Sequence, residues 1–153
     1  MTTATTSMPL WFLGTGVRIR VAAADSPDGL SAIESLALEG DSPPLHVHTT
    51  EDELFHVLEG ELRVRLGDEE LRLGPGETAL APQGLAHTYR VESPQARWLC
   101  VTRRGDFERF VRALSRPAES EGLPPQSRPT PEQIEQLENV AGEHGIRFVG
   151  PPL

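Results

Sequence analysis

Leu45-His46-Val47-His48-Thr49-Thr50-Glu51-Asp52-Glu53-Leu54-Phe55-His56-Val57-Leu58-Glu59-Gly60 decides how this chain reads. His46 and His48 flank Val47. On a β-strand, residues two apart point to the same face, roughly 6.8 Å apart at about 3.4 Å per residue. Two imidazoles so placed can converge on one metal ion. Glu53 opens the next strand after the Thr49-Thr50-Glu51-Asp52 turn, and a hairpin there would bring its carboxylate back beside the histidines. Further along, Pro82-Gln83-Gly84 precedes His87, which begins a later strand and turns inward if the sheet closes on itself. Three neutral nitrogens and one carboxylate suit a borderline divalent metal such as iron, manganese, nickel, cobalt or zinc. The candidate ligands are His46, His48, Glu53 and His87, for one ion per chain.

The rest of the chain is punctuated like a β protein. Val17–Val21 and Leu62–Leu66 alternate apolar residues with arginines, the pattern of strands with one wet face. Other strand candidates are Leu30–Leu38, Leu45–His48, Glu53–Leu58, Leu71–Leu73, Glu77–Ala81, His87–Val91 and Ala96–Thr102. Turn-forming stretches such as Gly74-Pro75-Gly76 separate them. Asp106–Leu114 has helical spacing, and Ser115–Pro129 reads as a Pro-rich extended connector. Thr130-Pro131-Glu132-Gln133 is a capping box that starts a second helix. Ile146–Val149 fits a last short strand. The expected fold is all-β with short C-terminal helices, in one domain. Residues 1–39 complete the barrel, 40–103 form its core, and 104–153 form a helical segment and tail.

Composition removes several function classes. The 153 residues carry a net charge of −9 with a pI near 5.0, which disfavours nonspecific nucleic-acid binding. All fourteen basic residues are arginine. Without lysine there is no Schiff-base chemistry on a side-chain amine and no P-loop lysine. The single cysteine, Cys100, excludes an internal disulfide and a multi-cysteine zinc site. No apolar run is long enough to span a bilayer. The Thr-rich start, Met1–Met8, shows no secretory signal, so a cytoplasmic location is expected.

Gly40, His46, His48, Glu53 and Gly60 stand at the spacing of the first cupin motif, and Gly76, Pro82, Gly84 and His87 at that of the second. The chain is therefore identified as a member of the cupin superfamily. It departs from the motif at Val91, where the family has an asparagine that is not a ligand. Trp11-Phe12-Leu13-Gly14, Asp106-Phe107-Glu108-Arg109-Phe110 and the closing Gly145–Leu153 resemble the quercetin 2,3-dioxygenase-like group of small bacterial cupins. The resemblance implies a jelly-roll β-barrel, a mononuclear metal site and a homodimer. It also implies a dioxygenase acting on a small enol, flavonol-like or diketone substrate, with Glu53 as general base. The same constellation supports an isomerase or cyclase that uses no oxygen, or a cupin that binds a small molecule without turnover.

Other residues have plainer readings. Glu51 and Asp52 read as solvated turn residues. His56 has the parity of Leu54 and Leu58, opposite to Glu53, and so points away from the metal. It fits a packing or interface role. His144 reads as a surface residue at a helix end. Phe55, Tyr89 and Trp98 could line a substrate pocket or simply fill the core.

Overall fold

The computed structural model describes residues 7–153. Residues 1–6, on which part of the signal-peptide reading and of the 1–39 segment rests, lie outside the described residues.

Twelve strands form two antiparallel sheets with two α-helices beside them. In chain order the elements are β1 (Leu10–Phe12), β2 (Thr15–Val21), β3 (Ser31–Leu38), β4 (Leu45–His48), β5 (Glu53–Glu59), β6 (Leu62–Leu66), β7 (Glu69–Leu73), β8 (Thr78–Ala81), β9 (His87–Val91), β10 (Gln95–Thr102), α1 (Asp106–Leu114), β11 (Ser115–Pro117), α2 (Pro131–Glu143) and β12 (Ile146–Gly150). The seven-stranded sheet runs β11-β1-β2-β3-β10-β5-β8, and the five-stranded sheet runs β12-β4-β9-β6-β7. This is the jelly roll that the cupin resemblance implies, and all-β as the alternation leads one to expect.

Each sheet turns its apolar parity toward the other, as period-2 patterning requires. Phe55, Val57, Ala79, Ala96 and Trp98 from the larger sheet meet Leu62, Val64, Leu73 and Val91 from the smaller. A second cluster joins Val17, Ile19 and Ile33 to Phe110 and Val111 of α1 and Ala141 of α2. The Thr130 capping box is present: its hydroxyl accepts from the Gln133 amide at 3.2 Å, and the Gln133 side chain accepts from the Thr130 amide at 2.8 Å.

Three features differ from the sequence reading. β1 and β11 pair with each other, and each has only three residues, too few to show a period. Ser115–Pro117 therefore belongs to the sheet rather than to the connector. The β4–β5 connection is not a hairpin, because the two strands lie in different sheets. The turn at 49–52 crosses between layers, and Glu53 faces the histidines across the interior.

Candidate metal centre

His46 and His48 come from β4 and His87 from the adjacent β9, where His46 and His87 are direct cross-strand partners. Glu53 begins β5 in the opposite sheet, between Ala81 of β8 and Thr102 of β10. All four side chains are buried. One donor atom from each lies within 4.8 Å of all the others. The turns that carry them are tied together. The Gly84 amide donates to the His48 carbonyl at 2.9 Å. Gln83 donates from its amide to Asp52 at 2.7 Å and from its side chain to the Thr49 carbonyl at 2.6 Å. The two motifs thus form one structural unit, and Gly84 and Gln83 are part of its frame.

Hydrogen bonds assign the ring nitrogens. His46 Nδ1 lies 2.8 Å from the Pro44 carbonyl, and His87 Nδ1 lies 2.8 Å from the Leu85 carbonyl. A carbonyl only accepts, so both Nδ1 atoms carry protons and both Nε2 atoms face inward. Glu53 Oε2 lies 2.7 Å from His87 Nε2, 2.9 Å from His48 Nε2 and 3.9 Å from His46 Nε2. The His48 approach is close but has no hydrogen-bond geometry, and neither His48 nitrogen has a partner. Such convergent, partly unpaired donors fit a divalent cation: three imidazole nitrogens and a carboxylate, at burial that demands a counter-charge.

The electrostatics agree. Burial works to raise the Glu53 pKa, but the facing histidines outweigh it and hold the carboxyl well below its usual range. Burial pushes His46 down. Burial also opposes the charged form of His87, yet its contact with Glu53 prevails and raises it.

Two residues of the centre escaped the sequence reading. Cys100 on β10 points inward, and its thiol donates to Glu53 Oε1 at 2.7 Å. Burial keeps it a thiol, raising its pKa well above the usual value. Glu51 is not a solvated turn residue. It is 3% exposed, and its Oε2 accepts from the Phe107 amide in the first turn of α1 at 2.7 Å. Burial is the main reason its pKa rises to about 7. The spacing of the 49–52 turn gave no sign of this, since it depends on α1 docking over the turn. Asp52 is exposed, as read.

Beside Glu53 lies a cavity of about 40 Å³, walled by Phe12, Phe55, Tyr89, Trp98, Cys100 and Phe107 among others. Phe55, Tyr89 and Trp98 thus lie together, with Tyr89 and Trp98 ring centres 5.0 Å apart. Phe55 and Trp98 are also core residues, and the Tyr89 hydroxyl donates to Asp41 at 3.1 Å. A larger cleft of about 120 Å³ near Trp11, Arg18 and Arg97 shares none of the four donor residues. His56 points out of the interior and contacts Thr78 Oγ1 at 2.8 Å. His144 caps the C-terminus of α2, half-buried. Val91, at the motif's asparagine position, is fully buried in the core. Its backbone ties the end of β9 to residues 40–41, accepting from the Gly40 amide at 2.9 Å and donating to the Asp41 carbonyl at 3.0 Å.

Residues 33–102 match the family described as the cupin domain. The quercetin 2,3-dioxygenase of Bacillus subtilis is 32% identical over 105 residues, which are 68% of this chain and 31% of that protein. This chain thus spans about a third of that relative's length. A solved structure from Thermus thermophilus is 31% identical, with a TM-score of 0.50 over 67% of this chain and 89% of the other. KdgF from Halomonas is 26% identical, with a TM-score of 0.55 over 61% of this chain and 85% of the other. No helix among the described residues is long and apolar enough to cross a membrane. With the two motifs built into one buried His/His/Glu/His cluster, the chain belongs to the cupin family, as a small cupin resembling the quercetin 2,3-dioxygenase group.

Proposed function

We propose that this cupin is a mononuclear metal-dependent dioxygenase acting on a small enol, flavonol-like or diketone substrate. The observation that supports it is the division of labour within one carboxylate. Glu53 Oε2 faces the three imidazoles, while Oε1 faces Cys100 beside the aromatic cavity. One oxygen serves the ligand set, and the other, paired with the Cys100 thiol, is the one a substrate hydroxyl would meet. A bound divalent metal would supply Lewis acidity to a substrate oxygen, held by His46, His48, Glu53 and His87. Glu53 then accepts the hydroxyl proton at Oε1, replacing the Cys100 thiol as its hydrogen-bond partner. Phe55, Tyr89 and Trp98 hold the flat apolar body of the substrate and keep water out.

The cavity size bears on substrate class. Sites for drug-sized ligands run to about 300 Å³ or more, against about 40 Å³ here. A small enol or diketone needs less rearrangement than a flavonol. For the flavonol, the cavity has to widen.

We also propose a homodimer. β8 is an edge of the larger sheet. Its Leu80 is 50% exposed and pairs with Leu54 on the outer face, with Leu58 nearby at 36%. Exposed edges with apolar outer residues are commonly covered by a second copy.

The test is oxygen uptake by metal-loaded protein offered 1,3-diketones, simple enols and flavonols, with a strictly anaerobic arm. Uptake in step with substrate loss is expected. Substrate loss without oxygen would replace the dioxygenase with an isomerase or cyclase. No turnover of any of these compounds would leave a binding protein.

A further inference from the structure

Two of the three histidines have their Nδ1 proton fixed by a main-chain carbonyl, and the third does not. His46 is held by Pro44 and His87 by Leu85. His48, 2% exposed, has no partner at Nδ1. A buried N–H without an acceptor is costly, and a metal-binding histidine whose ring is not fixed through its second nitrogen is a weaker ligand.

Three residues along the chain, Glu51 carries an acceptor that is likewise unpartnered, although the two side chains are not in hydrogen-bond contact in this structure. Its Oε2 is used by the Phe107 amide, but its Oε1 is buried and has no partner. The Phe107 ring, on the residue that Glu51 holds, packs edge-on against His48 with ring centres 5.4 Å apart. Glu51, Phe107 and His48 thus form one cluster. It contains one unpaired donor, or potential donor, and one unpaired acceptor, at burial where neither has water to turn to.

We propose that Glu51 is the positioning residue for His48: with a metal on Nε2, the Glu51 side chain turns its unpartnered Oε1 to the Nδ1 proton and fixes the tautomer that directs Nε2 to the metal. This rests on the metal-site reading above. Because the same carboxylate holds the Phe107 amide, Glu51 links the ligand set to the start of α1. Phe107 is a wall of the cavity. Occupancy of the centre and the position of that wall are therefore connected through one side chain.

The test uses the full chain and cobalt(II) alone, titrated against a competing chelator. Glu51→Gln is the informative variant. Its amide oxygen can still accept from Phe107, so the anchor of α1 is kept. Its NH₂ then faces His48 and cannot accept the Nδ1 proton. Cobalt affinity is expected to fall about 10–100-fold, the usual loss for such partners, with the metal-free melting temperature little changed. Affinity within about twofold of wild type overturns the proposal. Should Glu51→Gln fail to fold, nitrogen-15 NMR of the zinc-loaded wild type decides. A protonated, slowly exchanging His48 Nδ1 supports the proposal, and an unprotonated or freely exchanging one overturns it. Wild-type protein that binds neither metal removes the metal-site reading and this inference together. Tight wild-type binding with an unchanged variant removes this inference alone.

Discussion

The thiol of Cys100 donates to Oε1 of Glu53 across 2.7 Å, from the strand next to the one that carries the carboxylate. It turns Oε2 toward the histidines, as a partner to a ligating carboxylate should. Cys100→Ala is expected to weaken metal binding by about tenfold, and Cys100→Ser, which restores a donor, to recover most of it. Equal affinity in all three proteins, measured by chelator competition, would show that the histidines alone orient Glu53.

Acid should strip the metal, and earlier than an ordinary imidazole predicts. The sign follows from His87, whose pKa is raised above 6.5 by Glu53 despite its burial. Its protonated form persists to higher pH, and only the neutral ring coordinates. Binding therefore competes with a proton already above pH 6.5 and weakens steadily as pH falls. His46, pushed below 6.5, adds little competition until lower pH. Calorimetric titration in buffers of different ionisation heat should show proton release on metal binding near neutrality. Release of no protons at pH 6.5 would remove His87 from the ligand set.

Two motif glycines should differ in what they tolerate. Gly60 has φ +80°, and an added Cβ would strike the Gln95 carbonyl, Ser93 Oγ and Ala96 Cα. Gly76 has φ +84° but open space around it. Gly76→Ala should cost about 1–2 kcal/mol from the left-handed backbone alone. Gly60→Ala adds overpacking against main chain and should cost roughly 2–5 kcal/mol. Urea denaturation of both variants compares them directly, and equal losses would mean that the β5–β6 turn can open without penalty.

The strands were legible wherever one face is wet, because alternation in Val17–Val21 and Leu62–Leu66 is written in the residue types. The four donor residues were legible because His46 and His48 share parity and the motif spacing is specific. What could not be read depends on contacts between distant segments. Glu51 looks like any turn carboxylate until α1 docks over it. Cys100 meets Glu53 only through the pairing of β10 with β5. The layer change between β4 and β5 is hidden in the sequence because four turn residues serve a hairpin and a crossing equally well.

Leu80→Arg should abolish the proposed dimer without unfolding the chain. Leu80 lies at half exposure on the edge strand, so a charge there costs little in the monomer. In an interface the same charge would be buried without a partner. Light scattering at micromolar concentration should give twice the chain mass for wild type and the chain mass for the variant. A wild-type monomer at every concentration would rule out the dimer.

Glu53→Gln should separate ligand from base. The amide oxygen still coordinates weakly, so part of the metal remains, but an amide accepts no proton at neutral pH. Losing metal alone lowers the rate only in proportion to the sites left empty. Losing a general base lowers it about 10²–10⁴-fold. The comparison is therefore made per loaded site, with metal content and oxygen uptake measured on the same sample. A fall of at least about a hundredfold per bound metal is expected, because Oε1, paired with Cys100 of the cavity wall, is the oxygen turned away from the histidines. In this arrangement the histidines hold Glu53 well below the usual carboxylate range, so it is ionised at any pH that keeps the metal. The rate should then follow metal occupancy on the acid side, with no separate Glu53 limb. Activity per bound metal within about threefold of wild type would reduce Glu53 to a ligand and move the base to the substrate itself.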